Sequence, residues 1–199
     1  MNFGVLLSGG IDSSSLVFWK RPSICFTVDY GQLPASAEIK ASHAITTRLG
    51  IHHEIIRVDC SSLGSGDLTR KPTLSISNTP EWWPYRNQLL ITLCAMRAIE
   101  IGIKELLLGT VRSDTVHRDG TPEFYSLLDQ TLACQEGGLR VSAPALTMSS
   151  GELIATAKLP IDLLLMTHSC HTGSLPCGRC RGCQRRFATF QALELEDKS

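Results

Sequence analysis

Apolar residues fall in short runs along this chain, and the stretches between them carry helical spacing. Phe3 to Leu7 is an apolar run that stops at Ser8-Gly9-Gly10. Ser13 to Lys20 reads as a helix, with Leu16 and Trp19 or Lys20 on one face. Ser23 to Val28 is a second run, ending in the turn sequence Asp29-Tyr30-Gly31-Gln32. From Ser36 to Leu49, residues Ala37, Ala41, Ala44, Ile45 and Leu49 line one helical face, and Gly50 is a stop signal. His53 to Asp59, with Ile55, Ile56 and Val58, is a third strand.

Strands alternating with helices predict an α/β fold, a parallel sheet with helices on both faces. Residues 60–84 break the rhythm with Gly64, Gly66, Pro72, Pro80 and Pro84, as functional or disordered loops do. Asn87 to Ile101 is apolar nearly all round, which predicts a buried helix. Glu105 to Leu108 is a fourth strand ending at Gly109. Thr121-Pro122-Glu123 starts a helix whose inner face is Phe124, Leu127, Leu128 and Leu132. Arg140 to Ser142 is a short last strand, Gly151 to Ala157 a weak helix, and a final helix runs to about Leu193.

The chain has 199 residues, 43% hydrophobic and 19% charged, which suits one globular domain or one with a small appendage. Its net charge is zero, so no broad nucleic-acid surface is expected; Arg179, Arg181, Arg185 and Arg186 make one local basic patch. No apolar run reaches the ~18 residues of a membrane span, and no basic segment precedes Phe3 as in a signal peptide. The expected compartment is the cytoplasm. Four of the eight cysteines crowd between Cys170 and Cys183, which argues for one metal cluster rather than a disulfide framework.

Two motifs carry chemistry. A strand, then Ser8-Gly9-Gly10-Ile11-Asp12-Ser13-Ser14-Ser15, then a helix is a phosphate-binding arrangement. The glycines let backbone amides approach an anion, the serines donate, and Asp12 can hold the Mg2+ that accompanies a nucleotide. A Walker loop and a dinucleotide fingerprint are excluded, for want of a following Lys and a third glycine. A serine-capped turn is the plainer reading of the same residues. At the other end, Cys170, Cys177, Cys180 and Cys183 offer four thiolates, a set for tetrahedral zinc, with an iron–sulfur cluster as rival. His168 and His171 are expected beside the metal or on the surface.

In an open parallel sheet the ligand lies beyond the carboxyl ends of the strands. Three polar segments fall there: Asp29-Tyr30-Gly31-Gln32, Trp83-Pro84-Tyr85-Arg86-Asn87, and Gly109-Thr110-Val111-Arg112-Ser113-Asp114. Arg86 suits a phosphate or carboxylate, and Asp114 the donors of a base edge.

Ser8-Gly9-Gly10-Ile11-Asp12-Ser13 resembles the PP-loop of the N-type ATP pyrophosphatases, which include GMP synthetase, NAD synthetase and tRNA-thiolation enzymes. Together with Asp29-Tyr30-Gly31-Gln32, Pro84-x-Arg86-Asn87, Ser169-Cys170-His171-x-Gly173 and the cysteine spacing, it resembles the 7-cyano-7-deazaguanine synthase family from end to end. The resemblance implies an adenine nucleotide alpha hydrolase-like parallel-sheet sandwich over 1–160 and a zinc-binding module with a final helix over 161–199. It implies that ATP adenylates 7-carboxy-7-deazaguanine, that ammonia then gives an amide, and that a second ATP-driven step gives the nitrile, for queuosine biosynthesis. It implies a homodimer and a structural zinc on the four cysteines; the charge balance and the short apolar runs, for their part, lead to no expected nucleic-acid or membrane partner. Leu7, Ser8, Gly9, Gly10, Ile11, Asp12, Ser13, Ser14, Ser15 and Leu16 would then line the ATP phosphates, with Asp29, Tyr30, Gly31, Gln32, Asn87 and Gly109 completing the nucleotide site. Asp12, Ser13, Arg86 and Asp114 would carry the catalytic step.

Departures lie on the substrate side: Leu33-Pro34 for a basic pair, Thr115 to Gly120 for Ser-Gly-Tyr-Pro-Asp-Cys-Arg, and Ser150-Gly151-Glu152-Leu153 without the usual lysine. They leave open a divergent relative, as in antiphage defence, that joins the activated carboxylate to another amine and stops at an amide. A tRNA-thiolating enzyme and a non-catalytic nucleotide-binding scaffold are the other readings; the neutral charge argues against the first.

Overall fold

A computed structural model describes residues 2–77 and 79–196. Five strands, β1 (Phe3–Leu6), β2 (Ile24–Asp29), β3 (His52–Arg57), β4 (Glu105–Leu108) and β5 (Arg140–Ser142), form one sheet in the order β3-β2-β1-β4-β5. Every pairing is parallel. The helices are α1 (Ile11–Lys20), α2 (Ala35–Leu49), α3 (Arg86–Glu100), α4 (Pro122–Ala133), α5 (Ser150–Ala157), α6 (Ile161–Met166) and α7 (Arg181–Glu196).

Side chains alternate across the sheet, as strand geometry requires. Val5, Leu7, Cys25 and Leu107 face one side, packed with Leu16 and Val17 of α1 and with Leu49 of α2. Ile24, Phe26, Val28, Leu106 and Leu108 face the other, under Ile91, Cys94 and Ala98 of α3 and Tyr125 and Leu128 of α4. A strand buried on both faces reads as a continuous apolar run, which explains Leu106-Leu107-Leu108. The expected α/β sheet with helices on both faces is therefore present.

Three helix faces differ from expectation, each for a packing reason. On α2, Ala44 is exposed, while Ser42 and Thr46 are buried. Their hydroxyls reach the Leu7 and Ser42 carbonyls, so small polar residues can sit against the sheet without an unmet hydrogen bond. Helix α3 is buried along one stripe only, with Met96 66% exposed, because it covers a single face of the sheet. On α4, Leu127 is 58% exposed and Tyr125 takes the inner position, its hydroxyl paired with Thr110 Oγ1 at 2.7 Å. Helix α6 has no counterpart among the elements expected from sequence; Leu164 from it packs with Ile11, Ile154 and Phe190.

The order of strands reverses at β1. The chain builds outward through β2 to β3, then crosses back to place β4 on the other side of β1. At such a switch point the connections leave in opposite directions and open a crevice at the strand ends. The crossover carries the long 60–84 segment, which folds into short 3-10 turns at Ser61–Leu63 and Gly66–Leu68. Leu68 and Trp83 anchor it in the core, and the Trp83 ring meets Tyr30 edge-on at 4.8 Å.

Candidate active site

Helix α1 begins at Ile11, two residues before the expected start, so Asp12 lies in its first turn. Its N-cap is Gly10, which offers no side-chain acceptor for the helix's free amides. A helix start without such a cap keeps donors and a positive dipole end for an incoming anion. Gly9 has φ +72°, and a Cβ there would lie 2.7 Å from the Glu38 carbonyl, so only glycine lets the loop pass α2. Gly109, at the end of β4, is needed for a different reason: a Cβ would stand 2.5 Å from Ser13 Cα. The serines divide in their partners. Ser14 and Ser15 donate back to Gly10 and Ile11 carbonyls within the helix. Ser8 and Ser13 pair with each other at 3.1 Å on the cleft side.

The loop forms one end of a cleft with a cavity volume of about 300 Å³. Leu7, Ser8, Gly10, Ile11, Asp12, Ser13, Tyr30, Arg86, Asn87, Gly109 and Asp114 all line it, so the glycine loop and the Arg86 segment meet in space. Gly9, Ser14, Ser15, Leu16, Asp29, Gly31 and Gln32 do not line it. Gln32 is buried and its carboxamide holds the turn, accepting from Tyr30 N at 2.9 Å and donating to the Glu38 carboxyl at 2.7 Å. Asp29 caps the same turn by accepting from Gly31 N.

The residues missed from sequence are mostly charged. Glu38 lines the cleft, and burial pushes its carboxyl up to about 7, against the pull of Gln32 and Arg86. The signal was its position one turn before the buried Ala41 and Ser42. Arg181 and Arg185 also line the cleft, four residues apart on α7 and so on one helical face. Arg185 donates to Asp12 Oδ2 at 3.2 Å and to Asp114 Oδ1 at 2.9 Å. Burial raises Asp12 to about 6 despite Arg185, and its Oδ1 has no hydrogen-bond partner among the described residues. Asp114 Oδ2 accepts from Val111 N, so both of its oxygens already have partners within the protein. Arg86 keeps its proton firmly: burial works against the charge, but Tyr30, Asp119 and Glu38 outweigh it. Asn87 is held by Asp119 through two bonds.

The four cysteine sulfurs lie within 4.8 Å of one another, and Cys177 and Cys183 are 3.9 Å apart. Tetrahedral ligation at ~2.3 Å sets sulfurs about 3.8 Å apart, so the set fits zinc. Backbone amides of Cys180, Cys183 and His171 point at sulfurs, which favours thiolates. The knuckle is tied to the glycine loop, His168 N donating to the Gly9 carbonyl at 2.8 Å. Neither histidine is a plain surface residue. Both line the cleft, and His171 Nδ1 is buried there.

Among the described residues, no helix is long and apolar enough to cross a membrane. The family model for "Queuosine biosynthesis protein QueC" matches residues 4–194. A 7-cyano-7-deazaguanine synthase of Desulforudis audaxviator is 32% identical over 91% of this chain and 92% of its own length. One from Ectopseudomonas mendocina is 30% identical over 97% and 95%, and one from Thermoplasma volcanium 28% identical over 97% and 88%. With its glycine loop joined to the cysteine segment beside one cleft and a family match running nearly end to end, the chain belongs to the QueC family, that of the 7-cyano-7-deazaguanine synthases.

Proposed function

We propose that this chain uses ATP to adenylate 7-carboxy-7-deazaguanine and, with ammonia as nitrogen source, carries it to 7-cyano-7-deazaguanine. The observation that carries this reading is the uncapped glycine loop, with Asp12 in its first turn, facing Arg86 and Asn87 across one cleft. The names of the relatives supply the substrate class.

In this reading the segment from Leu7 to Leu16 holds the phosphates. Its free amides and the Ser8 and Ser13 hydroxyls donate to them, while Ser14, Ser15 and Leu16 fix the helix from within. Asp12 suits Mg2+, because Oδ1 is an unpartnered carboxylate oxygen and hard cations take oxygen ligands. An ion bound there supplies charge neutralisation for the departing pyrophosphate. Arg86 holds the substrate carboxylate in line with the alpha phosphate, a positioning task that needs no nucleophilic side chain. Tyr30, Asn87 and Gly109 shape the nucleotide pocket, and Asp29, Gly31 and Gln32 keep the turn beneath it. Asp114 orients Arg185. Cys170, Cys177, Cys180 and Cys183 hold a structural zinc in a module spanning 161–199, beside a nucleotide-binding unit spanning 1–160.

The test is ATP–pyrophosphate exchange dependent on 7-carboxy-7-deazaguanine, followed by product analysis. Exchange together with the nitrile supports the reading. Exchange with amide alone restricts it to the first step, and an absence of exchange with any deazaguanine carboxylate sinks it.

A further inference from the structure

Three side-chain atoms among the described residues are buried without a hydrogen-bond partner: Asp12 Oδ1, Glu81 Oε2 and His171 Nδ1. All three residues line the one cleft. Asp12 belongs to the phosphate end. The other two line the cleft beside Arg181, near enough for the Glu81 charge to act on the His171 ring, and nothing in the adenylation step uses them.

Glu81 is 4% exposed and projects from the long crossover segment. Its Oε1 accepts from Arg181 Nη1 at 2.7 Å and lies 3.5 Å from His117 Nε2. Burial opposes ionisation of this carboxyl, but His117, the residue's own backbone amide and Arg181 outweigh it and hold it down at about 2. The protein thus keeps a full negative charge here and satisfies only one of its two oxygens. A buried carboxylate oxygen and a buried imidazole nitrogen, both unpartnered, call for a ligand with N–H donors. Gly182 lines the same cleft against the His171 ring, where a Cβ would stand 2.7 Å from Nε2, so this part of the wall is closely packed.

A divalent metal fits less well. Among the described residues, the four cysteines are the one set of three or more side chains close enough together to hold a metal. Arg181 already adds a positive charge beside Glu81, which a second, divalent charge would face at close range.

We propose that Glu81 and His171, with His117 beside them, form a subsite for a small nitrogen cation, ammonium or a protonated primary amine. Its location follows from α7. Arg181 pairs with Glu81 and Arg185 with Asp12, and these arginines are four residues apart. The arginines that reach the two carboxylates are thus rooted about one turn, ~6 Å, apart on α7. This assignment rests on the reading that an acyl adenylate forms in the cleft. There the nitrogen bonds to the carboxyl carbon, the carbon–oxygen bond to AMP breaks with its electrons staying on AMP, and ammonium releases two protons to solvent.

The test varies ammonium chloride at constant ionic strength in full turnover, with wild type and E81Q. The KM for ammonium is expected to rise at least tenfold, well beyond any change in the KM for ATP, with E81D recovering part of it. An ammonium KM that stays put, or that moves only in step with the ATP value, overturns the subsite. A second arm needs neither ATP nor substrate: melting in ammonium chloride against sodium chloride. Wild type is expected to melt higher in ammonium, and E81Q to lose the difference. Where turnover is absent this arm decides. A Glu81-dependent shift keeps the subsite while the adenylation reading falls, and no such shift removes the subsite. Methylammonium in both arms separates the sources, because a site for free ammonium rejects it and a site for primary amines does not. Zinc content measured in each variant confirms that the knuckle is intact.

Discussion

The two ends of the chain touch, through His168 N on the Gly9 carbonyl and Arg185 on Asp12, yet they are built in opposite ways. The glycine loop offers backbone: free amides at a helix start and one unpartnered carboxylate oxygen, over eight consecutive residues. The knuckle end offers side chains. Its four cysteines gather a short segment at the start of α7, which aims Arg181 and Arg185 back at Glu81, Asp12 and Asp114. A backbone site depends on local geometry alone, whereas a side-chain site depends on everything that holds its helix. The loop should therefore fail in chemistry and keep its fold, while the knuckle should fail in both.

The widest separation is expected from C180S. It should lose bound zinc, melt about 10 °C lower, and reduce pyrophosphate exchange at least about a hundredfold, as α7 loses its anchor. Metal analysis, melting and exchange measured on one preparation check it; exchange at the wild-type rate in a zinc-free protein would break the comparison. D12N should reduce exchange by about a hundredfold, a loss of the size seen when one electrostatic group is removed, with zinc content unchanged. R185A joins the two ends and should cost about tenfold in exchange, again with zinc retained. A zinc-free R185A would mean that the arginine supports the knuckle rather than the cleft.

The smallest effect concerns stability and pH. Glu38 has a folded pKa near 7 against an ordinary 4.5, because burial disfavours its charge. The folded protein then binds more protons than the unfolded chain between those values, so this group's contribution to stability falls as pH rises through that window. E38Q should be more stable than wild type by about 1–3 kcal/mol at pH 8, with the difference gone below pH 4.5. Denaturant titrations at the two pH values measure it, and an equal gap at both would exclude burial of the Glu38 charge as the cause.

Much of the framework was readable because it is set locally. The bounds of β4 and β5, the Pro122 helix start and the Gly50 stop follow from runs of a few residues. The glycine loop and the cysteines were readable for the same reason. Errors arose where a helix face is chosen by its neighbour. Ala44 and Leu127 carry the right chemistry for burial, but Ser42 and Tyr125 have partners waiting in the sheet and at its edge, and hydrogen bonds made across the fold decided the rotation. The charged wall was hidden further still. Glu81, Arg181 and Arg185 look like solvated residues until the crossover segment and the last helix are brought together, which no local pattern reports. The departures at Thr115 to Gly120 belong here too, since His117 lies within that stretch and stands beside Glu81.

The pairing of Arg185 with Asp12 spans 173 positions. The wall that Arg185 supplies is in place only once the last helix has docked on the first, so closing the cleft belongs to the slow, long-range part of folding, whereas the glycine loop is made by neighbours in sequence.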